Sequence, residues 1–600
     1  MAVITSGPLD RHDRRARARA ARGLVPVGMG VMAAALSWLF VRYTVDDAYI
    51  SWRYGHNLVH AGVWNWNSGG ERVEAYTNPL YTALFVLPAL LRVPVELFAK
   101  LLGVALLAAY LVAVRLVRVP YAQRVALWGI ALLSPVFFIH LYSGLETVSF
   151  ALLTALLFAW VYRRGTLARH GHLVALAVAL SRPEGMLFAA VAEVWAWGVG
   201  RRRDDLRGAL AVGGVLCAYW GARTWYFGRL FPNTFYQKSL GNDGWIDRAA
   251  GTLTGQGGGG PAVAAAFLVA ACGLALAGTS LWRRTRHTRR AWTAADAERL
   301  RQATPFVLAV TAVTVQFGLY ASSTLAMDYA NRFTWQILFP VAVVALCRPR
   351  GAPAAWPLAA AALAALTQLW LWAEAGRLTT PMAAAVAGVA ALAVAAVRAP
   401  RARAALPVAV AVLAAVLVSY VPHTELTKLA AYRHRLEYAH QTLGRALLAQ
   451  DAPRGTVAIG DAGIAPFCMG TGAAGRSVYD LRGLADPYLH RGPLPRALMG
   501  RQVQAVVVVG TPGDPRGLRA TTVSSLPLVR QAYGAGFTSA ARLRFTTTAW
   551  QDVLVRPGRE TWARQRLARA ASVAQRENGV TDAAVLRRHV GEFPFLGPQC

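Results

Sequence analysis

The chain has 600 residues, of which 55% are hydrophobic and only 16% are charged, and its mean hydropathy is +0.35. This composition excludes an ordinary soluble protein. Many apolar runs approach the roughly 20 residues that a membrane helix needs, so we expect a polytopic membrane protein. The net charge of +33 would suggest nucleic acid in a soluble chain, but the arginines cluster between apolar runs. The positive-inside rule explains them more simply, and no nucleic-acid partner is expected.

The N-terminus predicts an uncleaved signal anchor. Residues 1–23 are basic and an apolar run at 24–42 follows, without a convincing cleavage site. We expect the basic segment in the cytoplasm, so the first span leaves the membrane on the outer side. The first outer loop then covers residues 43–94. Within it, NPLYTALFVLPALL (78–91) is too short to cross, so we expect a half-buried helix on the outer face.

Arginine placement predicts the topology of the remaining membrane domain, which ends at residue 421. Six basic connections fall inside under this reading: 115–124, 163–169, 201–207, 283–301, 348–350 and 398–403. The polar segments that fall outside are 143–150, 181–185, 227–239, 327–333 and the tail after 422. This gives about thirteen spans, with the N-terminus inside and the C-terminus outside. Residues 172–200 are expected to form a broken helix pair that opens onto a cavity.

The tail, residues 422–600, predicts an extracytoplasmic α/β domain. An amphipathic helix pattern begins at residue 423, TVAIGDAG (456–463) is typical of a strand that runs into a turn, and QAVVVVG (504–510) is typical of a buried strand. Cys468 and Cys600 would share an oxidising compartment there. They form either a disulfide or two unpaired thiols.

Polar outer segments carry the candidate chemistry, because charge near a bilayer is expensive. Acids, bases and aromatic residues are mixed there. Aromatic faces stack on sugar rings, carboxylates accept hydrogen bonds from hydroxyls, and Arg or Lys holds phosphate. The candidate phosphate-binding residues are Lys238, Arg332, Arg182 and Arg223. The candidate sugar- and acceptor-binding residues are Tyr49, Trp52, Glu74, Tyr76, Asn78, Glu146, Glu184, Asn233, Tyr236, Asp328 and Asp461.

Asp46 and Asp47 are the candidate catalytic residues. Adjacent residues on a helix point about 100° apart, so we expect one to face a shared cavity and the other to cap a helix or pair with a cation. The simpler alternative is that both only begin a helix. His56 and His60 have the i, i+4 spacing of two metal ligands but lie in HNLVH and not HExxH, so no metal site is expected.

Seven motifs in chain order resemble one family. They are DDAYISWRYGHNL, ERVEAYTNPL, SGLETVSFALL, SRPEGMLF, FPNTFYQK, GDAGIAPF and YDLRGLADPYLHR. Together they resemble the actinobacterial terminal β-(1→2)-arabinofuranosyltransferases, which belong to the GT-C class of polyprenyl-phosphate-sugar-dependent membrane glycosyltransferases. The resemblance runs from the first span into the tail. It is more specific for the GT-C class than for arabinose.

The resemblance implies an α-helical GT-C fold in the plasma membrane and a role in cell-wall biogenesis. Family members transfer arabinofuranose from decaprenyl-phosphoryl-arabinofuranose to cell-wall arabinan on the outer face. The acidic motif of the family falls on Asp46 and Asp47, of which one would act as the general base. A monophosphate donor could be held by Arg and Lys without a cofactor, with a divalent ion at the two aspartates as the alternative.

Three other functions compete with this reading. A GT-C transferase could use another polyprenyl-phosphate sugar, such as mannose, or another glycan acceptor. A lipid or glycan transporter is less favoured, because transporters often show internal repeats and midplane charges. A scaffold whose tail binds a partner would leave the charged outer segments unexplained.

Overall fold

The computed structural model describes residues 8–69, 71–239, 293–320, 328–374, 379–448, 456–470, 478–485, 503–510, 532–544, 550–576 and 581–589. The protein is mostly helical, at 73%, and carries a small sheet near the C-terminus. The predicted combination of an α-helical membrane part with a later sheet-containing part is therefore confirmed at this level. The Gly-rich run at 251–261 and Cys600 lie outside the described residues.

The first half of the chain forms twelve described helices. They are α1 (Pro8–Phe40), α2 (Ala48–Ala61), α3 (Pro79–Leu84), α4 (Val86–Leu91), α5 (Val95–Leu116), α6 (Tyr121–Leu132), α7 (Pro135–Tyr142), α8 (Thr147–Arg164), α9 (Ala168–Ser181), α10 (Gly185–Gly200), α11 (Arg203–Phe227) and α12 (Asn233–Ser239). The NPL segment thus forms two short helices, α3 and α4. Tyr81 and Phe85 are buried there while Leu90 and Leu91 are exposed, so this helix pair is half-buried.

Further helices follow residue 293. They are α13 (Ala294–Val315), α14 (Arg332–Leu346), α15 (Ala355–Glu374), α16 (Thr380–Arg398), α17 (Pro400–Val418), α18 (His423–Leu436), α19 (Thr442–Leu448), α20 (Ile464–Cys468), α21 (Glu560–Arg576) and α22 (Asp582–His589). A π-helical turn, Gln316–Tyr320, extends α13, and a second one, Glu437–Gln441, joins α18 to α19.

Four helical stretches among the described residues are long and apolar enough to cross a membrane. They are Gly23–Phe40, Val95–Leu116, Ala294–Tyr320 and Ala355–Ala373. The number rises to six if each of two bent helix pairs is one span. These helices support a membrane-spanning protein. The count of about thirteen spans, the orientation and the GT-C arrangement stay predictions.

The predicted break within residues 172–200 is confirmed. Helix α9 ends at Ser181 and α10 begins at Gly185, with Arg182 in an extended conformation between them. A side chain at Gly185 would have its Cβ 2.0 Å from the carbonyl oxygen of Val178, so only glycine allows the two helices to approach this closely. Arg182 and Glu184 therefore project from a break between helices.

The C-terminal part contains a five-stranded sheet of β1 (Thr456–Ile459), β2 (Val478–Asp480), β3 (Val503–Gly510), β4 (Thr538–Arg544) and β5 (Trp550–Val555). Its strand order is β2-β1-β3-β5-β4. The first three strands are parallel, and β5 pairs antiparallel with both β3 and β4. Both sequence-predicted strands, at TVAI and QAVVVVG, are present. Ligands of parallel sheets bind beyond the carboxyl ends of the strands, where β1 and β2 place Asp461 and Asp480.

Candidate functional site

Asp46 joins the first outer loop to the C-terminal part. Its two carboxylate oxygens accept hydrogen bonds from the backbone N–H groups of Gly463 (3.0 Å) and Ile464 (2.8 Å), at the start of α20. The side chain is buried, with 3% exposure. A Cβ at Gly463 would lie 2.0 Å from the Asp46 carbonyl oxygen, so the two loops pack without room for a side chain. Asp46 thus caps a helix more than 400 residues away in sequence.

The environment of Asp46 favours its neutral form. Burial raises the pKa of Asp46 to about 6, and the neighbouring Asp461 and Asp47 carboxylates act in the same direction. His440 and the hydrogen bond from Ile464 oppose this rise only in part.

Asp47 has a different environment. It precedes α2 at the N-cap position but its carboxylate makes no capping hydrogen bond, and its side chain is half-buried. No hydrogen bond or ion pair to this carboxylate occurs within the described parts of the chain. Of the two adjacent acids, Asp47 is therefore the one whose carboxylate is available to a ligand.

Asp461 is held in a charged cluster next to this loop. It lies 2.9 Å from Arg482 and 2.8 Å from His440, and it accepts a hydrogen bond of 2.9 Å from Gln551. Burial would raise the pKa of Asp461, but Arg482 and His440 outweigh it and lower the pKa to about 2. Asp461 is thus ionised over the whole range in which Asp46, in the same electrostatic network, takes up a proton.

A second network surrounds the break between α9 and α10. Arg182 forms ion pairs with Glu146 and, at 2.5 Å, with Glu184. Asn78 donates to Glu146 at 2.5 Å, and Tyr320 donates to Glu184 at 2.5 Å. Three predicted sugar-binding residues and one predicted phosphate-binding residue therefore come together here, with one arginine between two carboxylates.

Glu74, Arg223 and Asn233 form a third group. Arg223 is buried and hydrogen-bonds Glu74 through both Nε (2.8 Å) and Nη2. Asn233 donates its amide hydrogens to the carbonyl oxygens of Gly483 (2.6 Å) and Leu484 (3.0 Å) in the C-terminal part. Arg223 is thus neutralised by Glu74, and Asn233 holds two parts of the chain together.

Among the predicted phosphate-binding residues with a described side chain, Arg332 is the one without a direct ion pair, although the Glu146 carboxylate is near enough to interact with it electrostatically. It is 8% exposed, and its Nε and Nη1 atoms have no hydrogen-bond partner in the described structure. Its guanidinium carbon lies 4.4 Å from the centre of the Phe333 ring, and that of Arg182 lies 5.5 Å from the same ring. Ala330 and Asn331, directly before it, both have positive φ, near +50°. Such backbone strain in non-glycine residues is concentrated at functional sites.

An apolar cavity of about 420 Å³ lies beside these arginines. Its walls come from the α9–α10 break, from α11 and α12, and from the end of the π-helical turn and the start of α14. The lining includes Arg182, Glu184, Arg223, Tyr219, Trp220, Phe235, Leu319, Tyr320 and Phe333. A mostly apolar cavity with cationic groups at one side suits an amphiphile with an anionic head.

A tyrosine cluster connects this cavity region to the paired aspartates. Tyr432 packs against Tyr43 and Tyr329 with ring centres 6.0 and 5.3 Å apart, and the hydroxyls of Tyr329 and Tyr432 are 3.0 Å apart. Burial raises the pKa of Tyr43 well above its usual range; Arg332 opposes this rise and Asp47 adds to it. Tyr43 therefore lies within electrostatic reach of both Asp47 and Arg332.

The other predicted site residues are placed apart from this cavity. Trp52 is fully buried and stacks on Phe85 at 5.0 Å, which leaves no face open to a sugar ring. Tyr49 donates to Glu96, and Tyr76 accepts from Trp64. These buried positions are structural in character.

Three predictions remain near the ends of helices. Tyr236 is half-buried and accepts a hydrogen bond from the backbone of Phe231, and the exposed Asp328 accepts from the backbone N–H of Phe333. Lys238 lies in α12, but its side chain lies outside the described part of the structure. The described residues contain no cluster of three His, Cys, Asp or Glu side chains that could hold a metal ion.

Sequence reasoning missed several residues of the charged clusters, notably His440, Arg482 and Tyr320. Arg482 lies just beyond β2 in the quoted YDLRGL motif, and its position after a strand of a parallel sheet was a usable signal. His440 lies in a helical stretch with no distinguishing pattern, so only the folded structure shows its contact with Asp461.

No known protein family matches the chain, and no curated protein or solved structure is significantly similar to it.

Proposed function

We propose that the chain is an inverting membrane glycosyltransferase that transfers arabinofuranose from decaprenyl-phosphoryl-arabinofuranose to a cell-wall arabinan acceptor on the outer face. The observation that supports this most directly is Arg332, a buried guanidinium without a direct ion pair, which packs on the ring of Phe333, a residue that lines the apolar cavity. A buried charge of this kind is costly unless a counter-ion pairs with it. The phosphate of a lipid-linked sugar would supply that counter-ion.

The donor would lie with its isoprenoid chain in the 420 Å³ cavity and its phosphate towards Arg332. Arg182 and Arg223 line the cavity itself, but they already form ion pairs with carboxylates. They would hold the walls of the cavity in place, while Arg332 would meet the phosphate. Among the three predicted cations with described side chains, Arg332 would therefore be the principal phosphate-binding residue.

Asp47 would act as the general base. Its carboxylate would take the proton of the acceptor hydroxyl as the hydroxyl oxygen bonds to the anomeric carbon of the sugar. The bond from that carbon to the phosphate oxygen would break, and the polyprenyl phosphate would leave as an anion stabilised by Arg332. Attack from the face opposite the phosphate inverts the anomeric centre.

Transfer assays with single variants test this proposal. The full-length protein, in membranes, receives synthetic polyprenyl-phosphoryl-arabinofuranose and a short arabinoside acceptor. We expect Asp47→Asn to lower kcat by 10² to 10⁴, the usual contribution of a positioned base. Arg332→Gln should raise the KM for the donor and lower kcat, and Arg332→Lys should retain part of both. Asp46→Asn is the matched control, because it changes the neighbouring acid, which already has two backbone partners.

The outcomes separate the competing functions. Full activity of Asp47→Asn and Arg332→Gln would overturn the site. Transfer by the wild type only when a mannosyl donor replaces the arabinosyl donor would retain the lipid-phosphate chemistry and reject arabinose. No transfer with any polyprenyl-phosphate sugar, by a protein that is correctly folded in the membrane, would reject the transferase itself.

A further inference from the structure

A second cavity, of about 550 Å³, lies between the N-terminal ends of α9 and α11. The candidate active site is near the C-terminal ends of the same two helices. Leu173, Leu176, Val212 and Val215 form apolar walls along the two helices. Leu173 and Val215 are also largely exposed, at 60% and 48%, so the apolar wall continues onto the outer surface of these helices. In a membrane protein, such a surface faces lipid hydrocarbon.

Two arginines lie at the mouth of this cavity. Arg169 and Arg202 both line it and both are exposed. Neither guanidinium makes a hydrogen bond or ion pair within the described part of the chain. The acidic residues nearby have partners of their own: Asp204 pairs with Arg207 at 3.6 Å, and His172 lies 2.9 Å from Glu193. The mouth therefore keeps two positive charges for a ligand.

The floor of the cavity holds a buried acid with one oxygen to spare. Asp205 is 1% exposed, and its Oδ1 accepts from the Thr166 hydroxyl (2.6 Å) and the Leu167 backbone (3.2 Å). Its Oδ2 has no hydrogen-bond partner in the described structure. A buried carboxylate oxygen without a donor is costly, and a hydroxyl group of a ligand would supply one.

The backbone around the cavity is also strained. Ala168, which lines the cavity, has φ +50°, and Arg201, directly before Arg202, has φ +47°. Left-handed conformations of non-glycine residues persist where the surrounding structure requires them, and they are concentrated at binding sites. Here they direct Arg169 and Arg202 from two adjacent loops to one opening.

We propose that this cavity binds an anionic phospholipid with a hydroxylated headgroup. Its phosphate would contact Arg169 and Arg202, a headgroup hydroxyl would donate to Asp205, and an acyl chain would lie along the apolar walls of α9 and α11. Basic pockets between membrane helices are a recurring form of anionic-lipid site. The site is separate from the proposed transferase chemistry and does not depend on it.

Lipid binding to the purified full-length protein tests this site. Phosphatidylglycerol and phosphatidylcholine with identical acyl chains are titrated in detergent, and bound lipid is counted by native mass spectrometry. We expect phosphatidylglycerol to bind more tightly, and Arg169→Ala or Arg202→Ala to weaken it by about fivefold each. Ala211→Trp, which places a large side chain in the cavity, should weaken both lipids.

Arg203→Ala is the matched control, because Arg203 is an exposed arginine at the same helix end that does not line the cavity. It should leave phosphatidylglycerol binding unchanged. Equal binding of the two lipids by the wild type would overturn the proposal. So would an equal loss in Arg203→Ala, since binding would then follow the general positive charge of this surface and not the cavity. Unchanged binding in Ala211→Trp, with an unaltered melting temperature, would overturn the position of the acyl chain.

Discussion

Asp46 and Asp47 are adjacent in sequence but have different partners. Asp46 is buried and accepts two backbone hydrogen bonds from the start of α20, while Asp47 is half-buried beside the tyrosine cluster. A single step along the chain thus separates a residue that joins two parts of the protein from a residue that is available to a ligand. The two acids differ because the C-terminal part supplies backbone N–H groups that bind the Asp46 carboxylate.

The titration of Asp46 predicts a measurable pH dependence of stability. Its pKa is about 6 in the folded protein against 3.8 ordinarily, so the folded state binds the proton more tightly between these values. The stabilisation is fully present below about pH 4 and is lost as pH rises through 6. About 1.4 kcal/mol per pKa unit gives an upper bound of about 3 kcal/mol.

Melting temperatures at pH 4, 5, 6 and 7, for wild type and Asp46→Asn, measure this effect. We expect the wild type to lose stability relative to the variant across this range. Asp461 interacts with Asp46 and titrates near pH 2, below this range, so the difference between the two proteins above pH 4 reports mainly on Asp46. Parallel curves for the two proteins would contradict the proposed burial of Asp46.

At the scale of an element, the short helix α20 depends on a glycine at its start. A Cβ at Gly463 would lie 2.5 Å from the Asp46 side-chain carbon as well as 2.0 Å from its carbonyl oxygen. Because these are backbone atoms and atoms of a buried side chain, moving them away would lower the stability of the fold. We expect Gly463→Ala to separate α20 from the outer loop, to lower the melting temperature of the protein and to reduce transfer activity.

Gly460→Ala is the control for this prediction. It lies three residues earlier in the same turn, and a Cβ there would meet no atom of the described structure closer than 3.7 Å. We expect this variant to melt within a few degrees of the wild type. Similar losses in both variants would show that the turn is generally intolerant and that the Asp46 contact is not specific.

Elements with strong local signals could be predicted from sequence. The SRPEG break between α9 and α10 follows from Pro183 and Gly185, and the QAVVVVG strand follows from its β-branched run. The pairing of charges could not be predicted, because Arg182–Glu146 and Arg223–Glu74 join residues that are 36 and 149 positions apart. The sequence predicts these residues in outer segments, but only the packing of helices decides which arginine forms a direct ion pair and which does not.

For the whole molecule, side-chain amides join the membrane part to the C-terminal sheet. Asn67 donates to the carbonyl oxygen of Val478 at 2.9 Å, and Asn233 donates to those of Gly483 and Leu484. Arg435 and Asp582 form an ion pair of 2.5 Å between α18 and α22. Asn67 thus binds the start of β2 to the first outer loop and Asn233 binds the turn after β2 to α12, while the ion pair joins two helices within residues 422–600.

Removal of the two amides should loosen this attachment. Each hydrogen bond contributes about 1 kcal/mol, so Asn67→Ala, which loses one, should raise the proteolytic cleavage rate within residues 422–600 by about fivefold. Asn233→Ala, which loses two, should raise it by about 25-fold, and the double variant by more. Gln302→Ala is the control, because its amide bonds only to Glu298 within α13. Cleavage rates that match the control would mean that the sheet is attached by other contacts.

The bond between Asp46 and α20 has a consequence for biosynthesis. The two N–H groups that bind Asp46 lie 417 and 418 residues after it in sequence. A ribosome needs about 20–80 s to synthesise that length of chain. During that interval the first outer loop is complete while the amides that bind Asp46 do not yet exist. The candidate site is therefore assembled only when the C-terminal part is complete, and a chain terminated before residue 463 would reach the membrane without the two N–H groups that bind Asp46.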